Sequence, residues 1–211
     1  MTRKLGSFWR EFLKIWIKKH KKALTACALL AVLLVAALFL LRWSRINFLK
    51  TMYPRTYSEI VTKEAKRNGL DPNFVYAVIR AESNFDSEAK SKAGALGLMQ
   101  LTPATFEWLQ KREEASPVLP EDDLYKPEIN IRYGCRFLSL LFQTYPVRRT
   151  ALCAYNAGMG TVNQWLKRGE ISKDGKSLDA IPYPETRNYA DTVELYYQRY
   201  RDLYGSGYNS E

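Results

Sequence analysis

Imidazole and thiol groups are scarce in this 211-residue chain. The single histidine, His20, sits in a basic leader, and Cys27, Cys135 and Cys153 lie far apart, so no Cys/His cluster exists to hold a zinc ion. Acids are nearly missing from residues 1–50, where Glu11 stands against 11 Lys/Arg, whereas residues 51–211 carry 21 basic and 21 acidic side chains. The whole net charge of +10 therefore belongs to the first 50 residues, and the rest has no formal excess. That distribution argues against nucleic-acid binding, which needs a basic stripe on the folded domain itself. Internal repeats, low-complexity tracts and strong strand signals are also absent, and the length leaves room for one ordinary domain and one appendage.

The appendage is apolar. Residues 23–41 are broken only by Thr25, and 19 residues nearly span a bilayer core as a helix, which predicts a transmembrane segment. Eight Lys/Arg precede the run, against Arg42, Arg45, Lys50 and Arg55 after it, so the N-terminus is expected in the cytoplasm and the C-terminal domain outside the cytoplasmic membrane. A cleaved signal peptide is the rival, but the leader is long and the run ends Phe39-Leu40-Leu41-Arg42 with no small-x-small site, so an uncleaved anchor is favoured. Leu24-Thr25-Ala26-Cys27 looks like a lipoprotein processing site but stands at the start of the run rather than after it. Phe8, Trp9, Phe12, Leu13, Ile15 and Trp16 among basic residues suggest either an amphipathic helix on the inner leaflet or an unstructured leader. The expected organisation is a leader over 1–22, a membrane helix over 23–41, a connector over 42–56, one catalytic-size domain over 57–204 and a tail over 205–211. Outside the cytoplasm Cys135 and Cys153 could pair or remain buried thiols, and the sequence leaves both open.

The domain is expected to be mostly α. A helix over 57–68 stops at Gly69. Asp71-Pro72 and Thr102-Pro103 each place an N-cap side chain before a proline at the first helical position. Residues 113–123 are acidic and Pro-rich and predict a loop; further helices are expected over 129–142, 147–157, 162–168 and 185–203, with at most a small β-hairpin near 91–101.

One carboxylate stands out of place. Val75, Val78 and Ile79 define the apolar face of the helix opened by Asp71-Pro72, and Glu82 is the next position on that face. An acid partly withdrawn from water holds its proton more tightly, as a general acid requires; the bland alternative is a last-turn Glu reaching solvent. Ser83-Asn84-Phe85 follow directly. Then come the apolar stretch Gly94–Pro103, with Gln100 as its lone amide, and Ala154-Tyr155-Asn156-Ala157-Gly158 before a glycine break.

These segments carry a resemblance. Ala81-Glu82-Ser83-x-Phe85, Gly94-x-x-Gly97-Leu98-Met99-Gln100, Ala154-Tyr155-Asn156-Ala157-Gly158 and Glu185-Thr186-Arg187-Asn188-Tyr189 resemble, in order, the four motifs of family 1 lytic transglycosylases. The resemblance covers residues 57–204 and implies the soluble-lytic-transglycosylase (SLT) catalytic domain, a goose-type, lysozyme-like helical fold, here behind one N-terminal transmembrane helix. It further implies that Glu82 is the single catalytic acid/base and that Ser83 orients it or the substrate. Met99 and Gln100 would line the groove, Tyr155 and Asn156 would face Glu82 across it, and Tyr189 would close it from the last helix. Glu185 is a weaker candidate, since an acid also suits a helix N-terminus. Cys153 stands where many members have a small residue.

The implied reaction cleaves peptidoglycan strands between N-acetylmuramic acid and N-acetylglucosamine without water. Glu82 protonates the glycosidic oxygen, the resulting carboxylate takes a proton from the sugar's C6 hydroxyl, and that hydroxyl closes onto C1 to leave a 1,6-anhydromuramoyl end. No metal or organic cofactor is implied. Two alternatives stand beside it: a hydrolytic, lysozyme-type muramidase, and a non-catalytic murein-docked scaffold of an envelope assembly.

Overall fold

The computed structural model describes residues 2–114 and 116–205, with side chains from residue 9 onward; the tail expected over 205–211 lies outside the described residues except for Gly205. The chain divides into two units, Met1–Met52 and Tyr53–Glu211.

The first unit is one helix, α1 (Thr2–Met52). Its 51 residues would extend about 75 Å at the α-helical rise. The stretch Trp9–Met52 is long and apolar enough to cross a membrane. Leu29, Leu30, Val32, Leu33, Leu34, Val35, Phe39 and Leu41 are all more than half exposed, with no protein packed on them. Helix continues unbroken from the basic leader through the apolar run to Met52, so the connector expected over 42–56 is helical for most of its length. Nothing in those residues breaks a helix: Trp43, Arg45, Ile46, Phe48, Leu49 and Lys50 include neither proline nor glycine.

The second unit contains α2 (Ser58–Arg67), α3 (Pro72–Ser83), α4 (Pro103–Arg112), a 3-10 turn (Glu121–Tyr125), α5 (Pro127–Thr144), α6 (Arg148–Ala157), α7 (Met159–Leu166) and α8 (Pro184–Tyr204). The expected caps form: the Asp71 carboxylate accepts from Asn73 N–H at 2.9 Å and the Thr102 hydroxyl from Thr105 N–H at 3.2 Å, with Pro72 and Pro103 as first helical residues. The hairpin reduces to two isolated bridges, Lys90–Leu96 and Leu96–Leu101, too short a pairing to count as strands. The loop over 113–123 gives way at its end to the 3-10 turn.

Helix α3 is the centre of the domain. Pro72 through Ile79 are buried on every side, not on one face alone, because α2 packs against one flank and α8 against another. Its start is tied to α8 by the Tyr197 hydroxyl, which donates to Asp71 at 2.9 Å, and by the Asn73 amide, which donates to the Gly205 carbonyl. Its end is abrupt: Asn84 (φ 51°) and Phe85 (φ 69°) are both left-handed. Two consecutive non-glycine residues in that region are strained and persist only where packing fixes them; Phe85 packs against the core and Tyr76. This termination leaves Glu82 in the last turn of a rigid helix.

Cys135 and Cys153 are buried and free, and burial raises both thiol pKa values, that of Cys153 to about 11.

Candidate active site

A cleft of about 590 Å³ runs over the end of α3. It is lined by Glu82, by Ser91, Lys92, Ala93, Ala95, Gln100 and Thr102 from the loop before α4, by Tyr155 and Asn156 from the end of α6, and by Glu185 from the first turn of α8.

Glu82 keeps one side toward this cleft while protein surrounds its carboxyl. Desolvation raises its pKa from 4.5 to about 7, opposed by a hydrogen-bonding interaction with Tyr189 that favours the charged form. The Tyr189 hydroxyl is itself shielded from solvent and forms no hydrogen bond of good geometry, its interaction with the Glu82 carboxyl included. Burial and the nearby Glu82 carboxyl hold both the Tyr155 and Tyr189 phenols well above their ordinary range, so at neutral pH they are donors. Their rings lie nearly parallel, 8° apart with centroids 6.4 Å apart. Glu82 thus sits among two phenols in a desolvated corner, with no ion pair to it among the described residues.

The loop over 94–101 takes its shape from a set of hydrogen bonds to consecutive residues. Ser83 Oγ donates to the Leu98 carbonyl at 2.8 Å and lies 3.2 Å from that of Ile79. Met99 N–H donates to Asn130 Oδ1 at 2.7 Å, and the Met99 carbonyl accepts from the Tyr155 hydroxyl at 2.7 Å. The Gln100 amide donates to the Ala89 and Gly97 carbonyls. Asn130, fully buried in α5, also donates to the Leu96 and Leu124 carbonyls. Gly97 is required here twice over: its φ of 72° is left-handed, and a Cβ would run into the Leu124 carbonyl and the Asn130 amide. On the far wall the Thr186 hydroxyl donates to Asn156 Oδ1 at 2.7 Å, joining the start of α8 to the end of α6.

The structure therefore brings Glu82, Gln100, Tyr155, Asn156 and Glu185 to one cleft, with Tyr189 against Glu82. One expectation is corrected. Met99 does not line the groove with its side chain, which is 0% exposed and abuts Gly134 of α5; only its backbone serves the site. Ser83 directs its hydroxyl to loop carbonyls, because the last helical turn faces the loop there, and so it anchors the loop beside the acid. Asn130 and Thr186 are supports that went unassigned. The sequence signal for Asn130 is an amide on the helix face that carries Tyr133, Gly134 and Phe137, and Thr186 stands inside the last motif without a role of its own.

Residues 59–177 match the family model described as the Transglycosylase SLT domain. A putative soluble lytic murein transglycosylase of Haemophilus influenzae is 36% identical over 158 residues, covering 72% of this chain and 26% of that protein. A membrane-bound lytic murein transglycosylase C of Haemophilus ducreyi is 30% identical, covering 71% of this chain and 46% of the relative. The X-ray structure of an inactive Glu-to-Gln mutant of lytic transglycosylase Slt from Pseudomonas aeruginosa superposes with a TM-score of 0.64 at 35% identity, covering 73% of this chain and 25% of that one. The chain thus spans between a quarter and a half of the length of these relatives. It belongs to the SLT transglycosylase family, and its helical domain has the lysozyme-like fold of that family.

Proposed function

We propose that this SLT-family chain is a membrane-anchored peptidoglycan lytic transglycosylase in which Glu82 alone acts as acid and base. The observation that carries the reading is the Glu82 carboxyl, desolvated to a pKa of about 7 while lining a cleft of about 590 Å³. A carboxylic acid of that pKa is half protonated at neutrality, which favours proton transfer in both directions. The relatives named as lytic murein transglycosylases support peptidoglycan as the substrate, and the inactive Glu-to-Gln relative supports dependence on one glutamate.

In the first step Glu82 protonates the glycosidic oxygen between N-acetylmuramic acid and N-acetylglucosamine, and the bond to C1 breaks with oxocarbenium-like character. The 2-acetamido group of the sugar helps to stabilise that centre. The Glu82 carboxylate, stabilised as it forms by Tyr189, then removes the C6 hydroxyl proton as that oxygen closes onto C1. The proton returns to Glu82, so the enzyme is unchanged, and the 1,6-anhydro ring conserves all atoms of the strand without a water. The attacking group is already part of the substrate, and intramolecular attack needs no positioned nucleophile. Tyr155 and the Asn156 amide, held by Thr186, line the opposite wall and orient the sugars.

A two-carboxylate hydrolysis is the second reading, because Glu185 lines the same cleft. Glu185 is solvent-exposed on the first turn of α8, where it also complements the helix N-terminus. Mass spectrometry of muropeptides released from purified sacculi separates the two: the transglycosylase leaves anhydro ends lighter by one water, and a hydrolase leaves reducing ends. Products made only of reducing ends would overturn the reading.

Helix α1 serves as the anchor, its N-terminus cytoplasmic and the catalytic domain on the wall side. The apolar exposed surface of α1, its flanking charges and the membrane-bound relative support this arrangement. Reporter fusions at either end of the full chain test it; a cytoplasmic C-terminal domain would contradict it.

A further inference from the structure

Four large hydrophobic side chains are exposed among the described residues beyond Met52: Trp108, Val118, Tyr183 and Leu195. An exposed Trp is the costliest of these to leave in water, and its position is informative. Trp108, 41% exposed, borders an open depression of about 270 Å³ together with Ala104 and Thr105 of α4, Phe137 of α5, and Gly158 and Met159 at the α6–α7 junction. Two of its walls follow closely in sequence on residues that line the cleft over Glu82. Thr102 lines the cleft and Ala104 and Thr105 line the depression; Asn156 lines the cleft and Gly158 and Met159 line the depression.

The two cavities are also joined underneath by aromatic rings. Trp108 meets Phe137 edge-on at 6.4 Å between centroids, Phe137 meets Tyr155 at 5.2 Å, and Tyr155 stacks on Tyr189 beside Glu82 at 6.4 Å. The floor is rigid, since Phe137 is buried and Tyr155 is bonded to Met99. The depression's surface is mostly apolar, and its one hydroxyl, that of Thr105, is shared with the Thr102 cap. A rigid apolar wall beside a polar cleft suits a ligand whose polar groups lie in the cleft while a C–H surface covers the indole. A pyranose ring has such a surface, because its axial hydrogens cluster on one face.

We infer that Trp108, with Phe137 and Met159, forms a sugar-binding subsite beyond the reacting centre, which takes the apolar face of a ring of the same glycan strand and makes the enzyme prefer long strands. The inference rests on the cleft being a glycan groove, as proposed above. Trp108 is a positioning residue: it holds the strand and takes no part in proton transfer.

The test uses the full chain in detergent micelles. Calorimetric titration with purified, stem-free glycan strands compares Glu82→Gln with the double variants Glu82→Gln/Trp108→Ala and Glu82→Gln/Trp108→Phe. Trp108→Ala is expected to weaken binding about tenfold, and Trp108→Phe, which keeps an aromatic face, no more than about threefold. In the background with Glu82 intact, Trp108→Ala is expected to raise KM by a similar factor while kcat and the pH profile stay unchanged. Strand binding by Glu82→Gln that is indifferent to both substitutions overturns the subsite and leaves the glycan groove standing. Failure of Glu82→Gln to bind strands at all overturns both. A kcat loss without a KM change also overturns the subsite, since it would place Trp108 in the chemistry or the fold.

Discussion

The Tyr155 hydroxyl donates a 2.7 Å hydrogen bond to the Met99 carbonyl, joining the end of α6 to the loop before α4 across 56 positions of sequence. Met99 N–H is held at the same time by Asn130, so one peptide segment is gripped from α5 and α6 together. The wall of the cleft opposite α8 is thereby fixed before any substrate enters, and Glu82 faces a preformed surface.

Replacing Tyr155 by Phe removes that donor and leaves the Met99 carbonyl without a partner. The expected cost is about 1–3 kcal/mol in urea-induced unfolding, with a fall in kcat larger than the change in KM. Unchanged stability and unchanged kcat together would show that the bond does not shape the site.

Asn130→Ala takes a partner from three backbone groups at once, Met99 N–H and the Leu96 and Leu124 carbonyls, of which Leu96 keeps a bond from Leu101 N–H, and is expected to destabilise the domain by about 2–3 kcal/mol. Gly97→Ala meets the same pair, Asn130 and the Leu124 carbonyl, and adds left-handed backbone strain. Thermal melts of both variants check this; a Tm within a degree or two of the parent for either would contradict the clamp.

The raised pKa of Glu82 has a consequence for stability as well as for rate. The folded value, about 7, exceeds the unfolded value of 4.5, so the folded protein holds this proton more tightly. The corresponding stabilisation is complete below pH 4.5 and is lost as pH rises through 7; above that the buried charge costs on the order of 3 kcal/mol. Glu82→Gln should therefore melt at a higher temperature than the parent at pH 8 and show little difference at pH 4.5. Equal melting temperatures at both pH values would mean that the carboxyl is not desolvated.

Glu185→Gln separates one carboxylate from two. The expected result is a kcat within a few-fold of the parent and an unaltered anhydro product, since Glu185 stands at the exposed rim. A loss of 10²-fold or more would give Glu185 a direct part in the chemistry.

Much of this was legible beforehand, and the reasons differ by residue. Asp71-Pro72 and Thr102-Pro103 announce helix starts because cap and proline act locally, and both form as expected. Glu82 was visible as an acid on an apolar stripe, although α3 is buried on all sides, which periodicity along one helix cannot reveal because it depends on what packs on the other faces. The motif puts Met99 in the groove, yet its side chain turns to the core, and the Ser83 hydroxyl next to the acid turns to the loop carbonyls. Motif membership marks a residue as needed without telling which way it points. The role of Asn130 is not legible in local sequence, because its partners lie 6, 31 and 34 positions away. Hydropathy bounds the apolar run at Leu41, whereas the backbone stays helical to Met52 because nothing there breaks it.

The central claim is that Glu82 is the proton donor, and the most direct measurement is the initial rate of sacculus solubilisation by the full chain and by Glu82→Gln across pH 5 to 9. The parent should lose activity as pH rises through about 7, and Glu82→Gln should fall by 10²-fold or more at every pH while still binding glycan strands. A Glu82→Gln protein that solubilises sacculi at the parental rate would contradict the account.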